Sequence, residues 1–296
     1  MFSGPSSLSN RRKLRAALAG FGAALLMACS TAMPAQTEGG SAMELRAGEA
    51  PTYADLVTFA LAADTVAIVT VDDAIAFPPE RAPDVAPDRV RLYVESLTRN
   101  LLAAPSGVGE SLIFVAETDR EADGDAPDWD ERDFVIFADQ SRTRPGEVQL
   151  VSSRAMFPAG PVIEARVRNV LRQLAAADAP TAITGVRDVI SVEGNLAGES
   201  ETQMFVETAS GAPVSLTVLR RPGMPAEWGV SLGEIVDTTA RPPERETLAW
   251  YRFACSLPRE LPSDAFLQGD RTAQQRARQD YAFVLSELGD CERRYS

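Results

Sequence analysis

Short runs of apolar and β-branched residues, separated by turn residues, fill most of the chain between residues 65 and 232 and set the strongest limit on its fold. In one run Val90, Leu92 and Val94 alternate with largely polar residues, which is the period of a half-buried β-strand. The strands predicted in this way are 65–76, 89–95, 111–118, 133–139, 147–152, 186–192, 202–208, 214–219 and 228–232. A chain with this many short strands must build most of its core from β-sheet.

Two of these runs flank an acidic loop that is rich in turn residues. The runs are 111–118 and 133–139, and both are dominated by apolar residues. Consecutive strands commonly pair with each other, so we predict that these two form a hairpin with a long loop.

Helical spacing of apolar residues marks four other segments. The predicted helices are 52–63, 161–177, 244–257 and 272–288, and Pro161 suits the first position of the second one. Strands followed by segregated helices predict an α+β fold: an antiparallel β-sheet core built from hairpins, one mid-chain helix and two C-terminal helices. We assign residues 52–296 to one globular body, with a candidate internal boundary near 178–185.

The N-terminal residues have the pattern of an export signal. Four basic residues, Arg11, Arg12, Lys13 and Arg15, precede thirteen apolar or small residues, 16–28, and no acidic residue interrupts them. This is a charged region followed by an apolar region of signal-peptide length. A membrane-spanning helix needs about 20 apolar residues, so we predict that residues 1–28 are a cleaved signal peptide.

The residues at the end of this segment, Leu26-Met27-Ala28-Cys29, resemble the lipobox of bacterial lipoproteins. The resemblance implies that the Cys29 thiol receives a lipid and that the acyl chains hold the protein at a membrane. Ser30 after the cysteine implies the outer membrane of a Gram-negative envelope, with the body in the periplasm. Residues 29–51, rich in small and polar residues, are the expected flexible tether.

Two further cysteines, Cys255 and Cys291, fall in or just after the two predicted C-terminal helices. In an oxidising compartment such a pair is expected to form a disulfide, which would clamp the two helices together. Two free thiols are the alternative.

The composition excludes several kinds of chemistry. The chain has no histidine, and Lys13, inside the predicted signal peptide, is its only lysine. Catalytic triads, lysine Schiff bases, a Walker lysine and imidazole metal sites are therefore excluded from the mature chain. Residues 1–28 hold four basic and no acidic residues, so their removal changes the net charge from −13 to about −17. Such a charge disfavours nucleic acid as a partner.

The acidic stretch between residues 119 and 130 resembles the calcium loop of EF-hand-like proteins. The resemblance implies that calcium is the cofactor and that its ligands are Asp119, Glu121, Asp123, Asp125 and Asp130. A solvated acidic loop is the alternative. No other cofactor is expected.

As a whole the chain resembles the uncharacterised single-domain lipoproteins of Gram-negative envelopes. We expect a non-enzymatic binding or structural module at the outer membrane, whose partner is an envelope protein or a small ligand. The alternative is a carboxylate-dependent hydrolase of cell-wall glycan, with Asp72, Glu199 and Glu201 as candidate carboxylates. A cleft with two carboxylates, one of them desolvated, favours the hydrolase, whereas an exposed apolar or aromatic patch favours the binding module.

Overall fold

Two antiparallel sheets and four helices make up the residues that the computed structural model describes, 50–233 and 240–296. All of them belong to one unit that spans residues 40–296. The strands are β1 (Thr65–Ala76), β2 (Arg89–Ala103), β3 (Ser111–Asp119), β4 (Asp133–Gln140), β5 (Val148–Leu150), β6 (Met156–Pro158), β7 (Ile183–Glu193), β8 (Ser200–Thr208), β9 (Val214–Arg220) and β10 (Glu227–Ser231). The helices are α1 (Tyr53–Ala62), α2 (Pro161–Ala175), α3 (Leu248–Ala254) and α4 (Arg271–Leu288). The predicted α+β fold with an antiparallel sheet core is confirmed.

The first sheet has the order β3-β2-β1-β4-β5, with β6 beside β4. It curves until its two edges meet. At this contact the Ile113 N–H donates to the Gly146 carbonyl (2.8 Å), and the Glu117 N–H donates to the Ser153 carbonyl (3.1 Å). We call it the curved sheet. Its closure satisfies backbone groups of β3 that would otherwise form an open strand edge.

The predicted hairpin of 111–118 with 133–139 is wrong. β3 pairs with β2, and β4 pairs with β1, so two strands separate the segments that we expected to pair. The reason is burial: residues 134–138 of β4 are all buried, whereas β3 alternates between buried and more exposed residues. A strand buried on both faces needs neighbours on both sides and a layer above it, and β4 obtains these between β1 and β5.

Helix α1 covers the part of the curved sheet formed by β4 and β6. The Phe59 ring lies 5.8 Å from the Phe137 ring and 5.9 Å from the Phe157 ring, measured between ring centroids. Helix α3 joins the same layer through Trp250, whose ring meets Tyr53 edge-on at 6.2 Å. The apolar residues predicted at helical spacing in 52–63 therefore do face the core.

The second sheet has the order β10-β9-β8-β7, and α4 packs on one of its faces. Met204 and Leu216 lie opposite each other in register on this face, and both are fully buried. Helix α3 begins at Leu248, four residues later than predicted, because the Thr247 side chain accepts a hydrogen bond from the Trp250 N–H and so caps the helix there.

One buried carboxylate connects the start of α1 to the last described residues. Asp55 is fully buried, and its oxygens accept hydrogen bonds from the backbone N–H groups of Thr52 (2.9 Å), Arg294 (3.1 Å), Tyr295 (3.0 Å) and Ser296 (3.1 Å). Burial opposes ionisation of this carboxyl, but the hydrogen bonds from Tyr295, Thr52 and Arg294 outweigh burial and hold its pKa below the ordinary value. Successive N–H groups that converge on one anion form a backbone nest.

Replacing this carboxylate provides a test of its contribution. We expect Asp55→Asn to lower the free energy of unfolding at pH 7 by about 2 kcal/mol, because the N–H donors lose their charged acceptor. A carboxyl whose folded-state pKa is depressed stabilises the fold above its unfolded pKa and loses that contribution as the pH falls through the folded pKa. The difference between wild type and variant should therefore shrink below about pH 4.

The measurement is urea denaturation between pH 3 and pH 8, with Asp178→Asn as the matched control. Asp178 is exposed and makes no hydrogen bond or ion pair within the described residues. A constant difference between Asp55→Asn and wild type over the whole pH range would contradict this account.

The predicted disulfide pair is present. The sulfur atoms of Cys255 and Cys291 lie 2.10 Å apart, with their Cα atoms 5.1 Å apart. The bond joins the end of α3 to the segment after α4, which leads to the residues that bind Asp55. A second link between the same two helices is the hydrogen bond from the Trp250 indole N–H to the Leu288 carbonyl (2.9 Å).

We expect the double variant Cys255→Ser/Cys291→Ser to lose about 4 kcal/mol of unfolding free energy, because the bond closes a loop with a sequence separation of 36 residues. Chemical denaturation with and without a reducing agent measures this. The reducing agent should destabilise the wild type and leave the double variant unchanged. If the reducing agent destabilised both proteins equally, the disulfide would not be the source of the lost unfolding free energy.

Candidate functional site

An apolar row crosses the exposed face of β1, β2 and β3. Ile75 lies opposite Tyr93, and Tyr93 lies opposite Val115, so the three side chains share one face of the curved sheet. Ile75 is 53% exposed and Val115 is 42% exposed, while Tyr93 is half-buried. Strand alternation turns their neighbours Leu92 and Val94 into the core, where both are fully buried. The row is thus apolar surface that residues 50–233 and 240–296 leave uncovered.

Two carboxylates of like charge lie beside this row. Asp73 of β1 is directly opposite Glu95 of β2, and both residues are exposed. Within residues 50–233 and 240–296, neither carboxylate has an ion pair or a hydrogen bond. Like charges directly opposite each other destabilise a sheet. We call the apolar row, this acidic pair and Ile113, which lies opposite Glu95 on β3, the sheet face.

Ion pairs border the sheet face. The Arg91 guanidinium contacts Asp84 (2.7 Å) and Glu117 (2.6 Å), and its hydrogen bonds to these two carboxylates raise its pKa further above the ordinary value. On the far side Arg144 pairs with Glu147 at 2.8 Å. A groove of about 520 Å³ is lined by Arg91, Glu117, Arg144 and Glu147 together with parts of the sheet face. An apolar floor with a charged rim is the usual anatomy of a protein-binding surface.

The acidic loop between β3 and β4 forms compact turns. The Glu121 N–H donates to the Asp125 carbonyl (3.0 Å), and the Asp123 carboxylate accepts from the Asp125 N–H (3.1 Å). No group of three or more Asp, Glu or Cys side chains in the described part of the chain is placed to hold a metal ion. Calcium binding by Asp119, Glu121, Asp123, Asp125 and Asp130 stays a prediction.

The carboxylates proposed for a glycan hydrolase lie in different parts of the fold. Asp72 belongs to the curved sheet, whereas Glu201 belongs to β8 of the second sheet and accepts a hydrogen bond from the Gln203 amide (2.7 Å). Glu199 lies in the loop before β8 and is half-buried. Asp72 therefore does not share a sheet with Glu199 and Glu201.

Cys29 and the predicted signal peptide lie outside the described residues. Among the helices in residues 50–233 and 240–296, none combines the length and the apolar character that crossing a membrane requires. Compared with known protein families and with characterised proteins, the sequence matches none.

No local sequence pattern identifies the sheet face. Ile75, Tyr93 and Val115 are far apart in sequence, and only the strand register brings them into one row. The available signal was the alternation in β2, which assigns Tyr93 and Glu95 to the outward-facing side.

The acidic pair on the sheet face should lower the free energy of unfolding. We expect Glu95→Gln to raise the free energy of unfolding at pH 7 by about 0.5 kcal/mol, because it removes the repulsion from Asp73. Added salt should reduce this gain through screening. Thermal or urea denaturation at low and high ionic strength measures it, with Glu110→Gln, at another exposed glutamate, as the control. A gain of the same size in the control would attribute the effect to net charge.

Proposed function

We propose that this chain is an envelope lipoprotein, attached by lipid on Cys29 to the outer membrane, with its body in the periplasm. The support is the basic and apolar N-terminal segment, which ends in Leu26-Met27-Ala28-Cys29. A disulfide in the body is consistent with an oxidising compartment.

The body acts as a non-enzymatic binding module, and its partner is a protein surface that combines apolar and basic side chains. The observation that carries this proposal is the exposed row of Ile75, Tyr93 and Val115 beside the unpaired Asp73 and Glu95. Apolar side chains of a partner would cover the row, while its basic side chains would relieve the repulsion between the two carboxylates.

The residue types of the chain favour binding over catalysis. The chain has no histidine, the side chain that most often acts as a general base near neutral pH, and its only lysine, Lys13, lies in the predicted signal peptide. Carboxylates and arginines remain, and both are suited to ion pairs across an interface.

The lipid anchor is tested by the intact mass of the protein extracted from its native membrane fraction. We expect a chain that begins at Cys29 and carries the mass of several acyl chains, and we expect Cys29→Ala to lack that mass and to leave the membrane fraction. An unmodified mass, or a chain that retains residues 1–28, would overturn the anchor.

The sheet face is tested by site-specific crosslinking in cells. A photoreactive amino acid in place of Val115 should capture one protein, whereas the same amino acid in place of Val162 should not. Val162 is a matched control because it is a valine on α2 with 75% exposure, away from the sheet face. Mass spectrometry then identifies the captured protein.

The purified partner is next titrated against the full chain. We expect Glu95→Lys to weaken binding tenfold or more, because a basic partner would then meet a like charge, and we expect Glu110→Lys to have no effect. Capture at both positions, or unchanged affinity in Glu95→Lys, would contradict docking on the sheet face.

A further inference from the structure

A polar groove of about 650 Å³ lies between α4 and the loop that joins β7 to β8, and the proposed docking on the sheet face does not use it. The polar side chains that line it are Glu193, Asn195, Glu199, Ser200, Arg220, Thr272, Gln275, Arg276 and Gln279. Leu196 and Ala197 are the larger apolar residues of its lining, and no aromatic side chain of the described residues takes part. We call it the helix groove.

Both arginines of the helix groove are held by carboxylates. Arg220 donates from Nε to Asp280 Oδ1 at 2.6 Å, and Asp280, which is 0% exposed, also accepts from the Thr202 hydroxyl. Arg276 donates from Nη1 to Glu193 at 2.7 Å and from Nε to the Ser191 hydroxyl at 2.9 Å. The positions of both guanidinium groups are thus fixed and their charges are compensated.

Apart from the Glu199 carboxylate, which accepts a hydrogen bond from the Leu196 N–H, the remaining polar side chains of the lining have no hydrogen-bond partner within the described part of the chain. This holds for the side chains of Gln275 and Gln279 on α4, and for those of Asn195 and Ser200 opposite them. Ser200 is only 6% exposed, yet it lines the groove beside Arg220, its neighbour in register on β9. Amide and hydroxyl groups each both donate and accept hydrogen bonds.

The strands make this arrangement rigid. Glu193, Ser200 and Arg220 lie opposite one another across β7, β8 and β9, so they form a row on the face that carries α4. On the other wall, Thr272, Arg276 and Gln279 recur at helical spacing over about 10 Å of helix. The backbone of both walls is thus in place before a ligand binds, which lowers the entropy lost on binding.

We infer that the helix groove binds a neutral oligosaccharide. The carboxylates of Glu193 and Glu199 would repel an anionic ligand, and the guanidinium groups of Arg220 and Arg276 would repel a cationic one. A ligand rich in hydroxyl and acetamido groups carries no charge, and it offers donors and acceptors together, as the unpartnered amides and hydroxyls of the groove do.

Neither carboxylate of the groove is arranged as a catalytic acid. The Glu193 side chain is 67% exposed and paired with Arg276, and Glu199 accepts a hydrogen bond from the Leu196 N–H at 3.2 Å. A general acid needs a desolvated carboxyl that stays protonated. The groove therefore binds the glycan without cleaving it.

The experiment is calorimetric titration of the full chain, in detergent, with triacetylchitotriose as the neutral probe and trigalacturonic acid as the anionic one. The test variant is Gln275→Ala/Gln279→Ala, which removes two exposed amides that make no internal hydrogen bond. Its matched control is Ser286→Ala, an exposed position of α4 outside the groove. Because alanine is the best helix former, both variants should keep the fold.

We expect wild type and Ser286→Ala to bind triacetylchitotriose equally, and the double variant to bind it tenfold or more weakly. No binding by the wild type, or equal binding by the double variant, would overturn the inference. Preference for trigalacturonic acid, with that binding lost in Arg276→Gln, would also overturn it, because the groove would then be an anion site.

Discussion

The Asp55 carboxylate is the contact on which the arrangement of the helices depends. It lies in the first turn of α1, yet it accepts hydrogen bonds from residues 239 to 241 positions later in the sequence. This fixes α1 against the end of the chain that the disulfide also holds, so that α1, α3 and residues 294–296 form one layer. Tyr295 continues the layer, since its ring meets Phe157 of β6 edge-on at 5.3 Å.

The position of this layer explains where the sheet face begins. Paired residues of neighbouring strands share a face of the sheet, and side chains along each strand alternate between the two faces. Phe137 of β4 therefore lies on the same face of the curved sheet as Tyr93 of β2. At Phe137 that face is covered by Phe59 of α1, whereas at Tyr93 none of the helices described in residues 50–233 and 240–296 covers it. A single face of one sheet is therefore core at β4 and exposed surface at β2 and β3.

Local patterns predicted most of the elements, though not β6 or the second half of β2, and they did not predict which strands pair. The strands at 65–76, 111–118 and 133–139 were predicted within a residue or two, because alternation and β-branched residues act over short distances. Pairing of 111–118 with 133–139 was predicted wrongly, since the order of strands depends on which of them must be buried on both faces. The disulfide was predicted because only two of the three cysteines remained once the first was assigned to lipid attachment.

The sites depended on long-range register, which no local pattern contains. The apolar row requires residues 75, 93 and 115 to come into register, and the helix groove requires β7, β8, β9 and α4 to meet. Composition sets one limit: with no histidine, and with Lys13 as the only lysine, charge recognition by the body has to rely on arginine and carboxylates.

Arginines in this fold are commonly paired with carboxylates, and in such a fold two like charges placed directly opposite each other are informative. Arg91 contacts two carboxylates, Arg220 contacts buried Asp280, and Arg276 contacts Glu193. Asp73 and Glu95 instead oppose each other with no cation partner among the described residues, although a change of either residue to a neutral one would remove the repulsion. Departures from the local rules of stability concentrate at functional sites. The acidic pair and the apolar row beside it thus point to the same surface for independent reasons, one electrostatic and one hydrophobic.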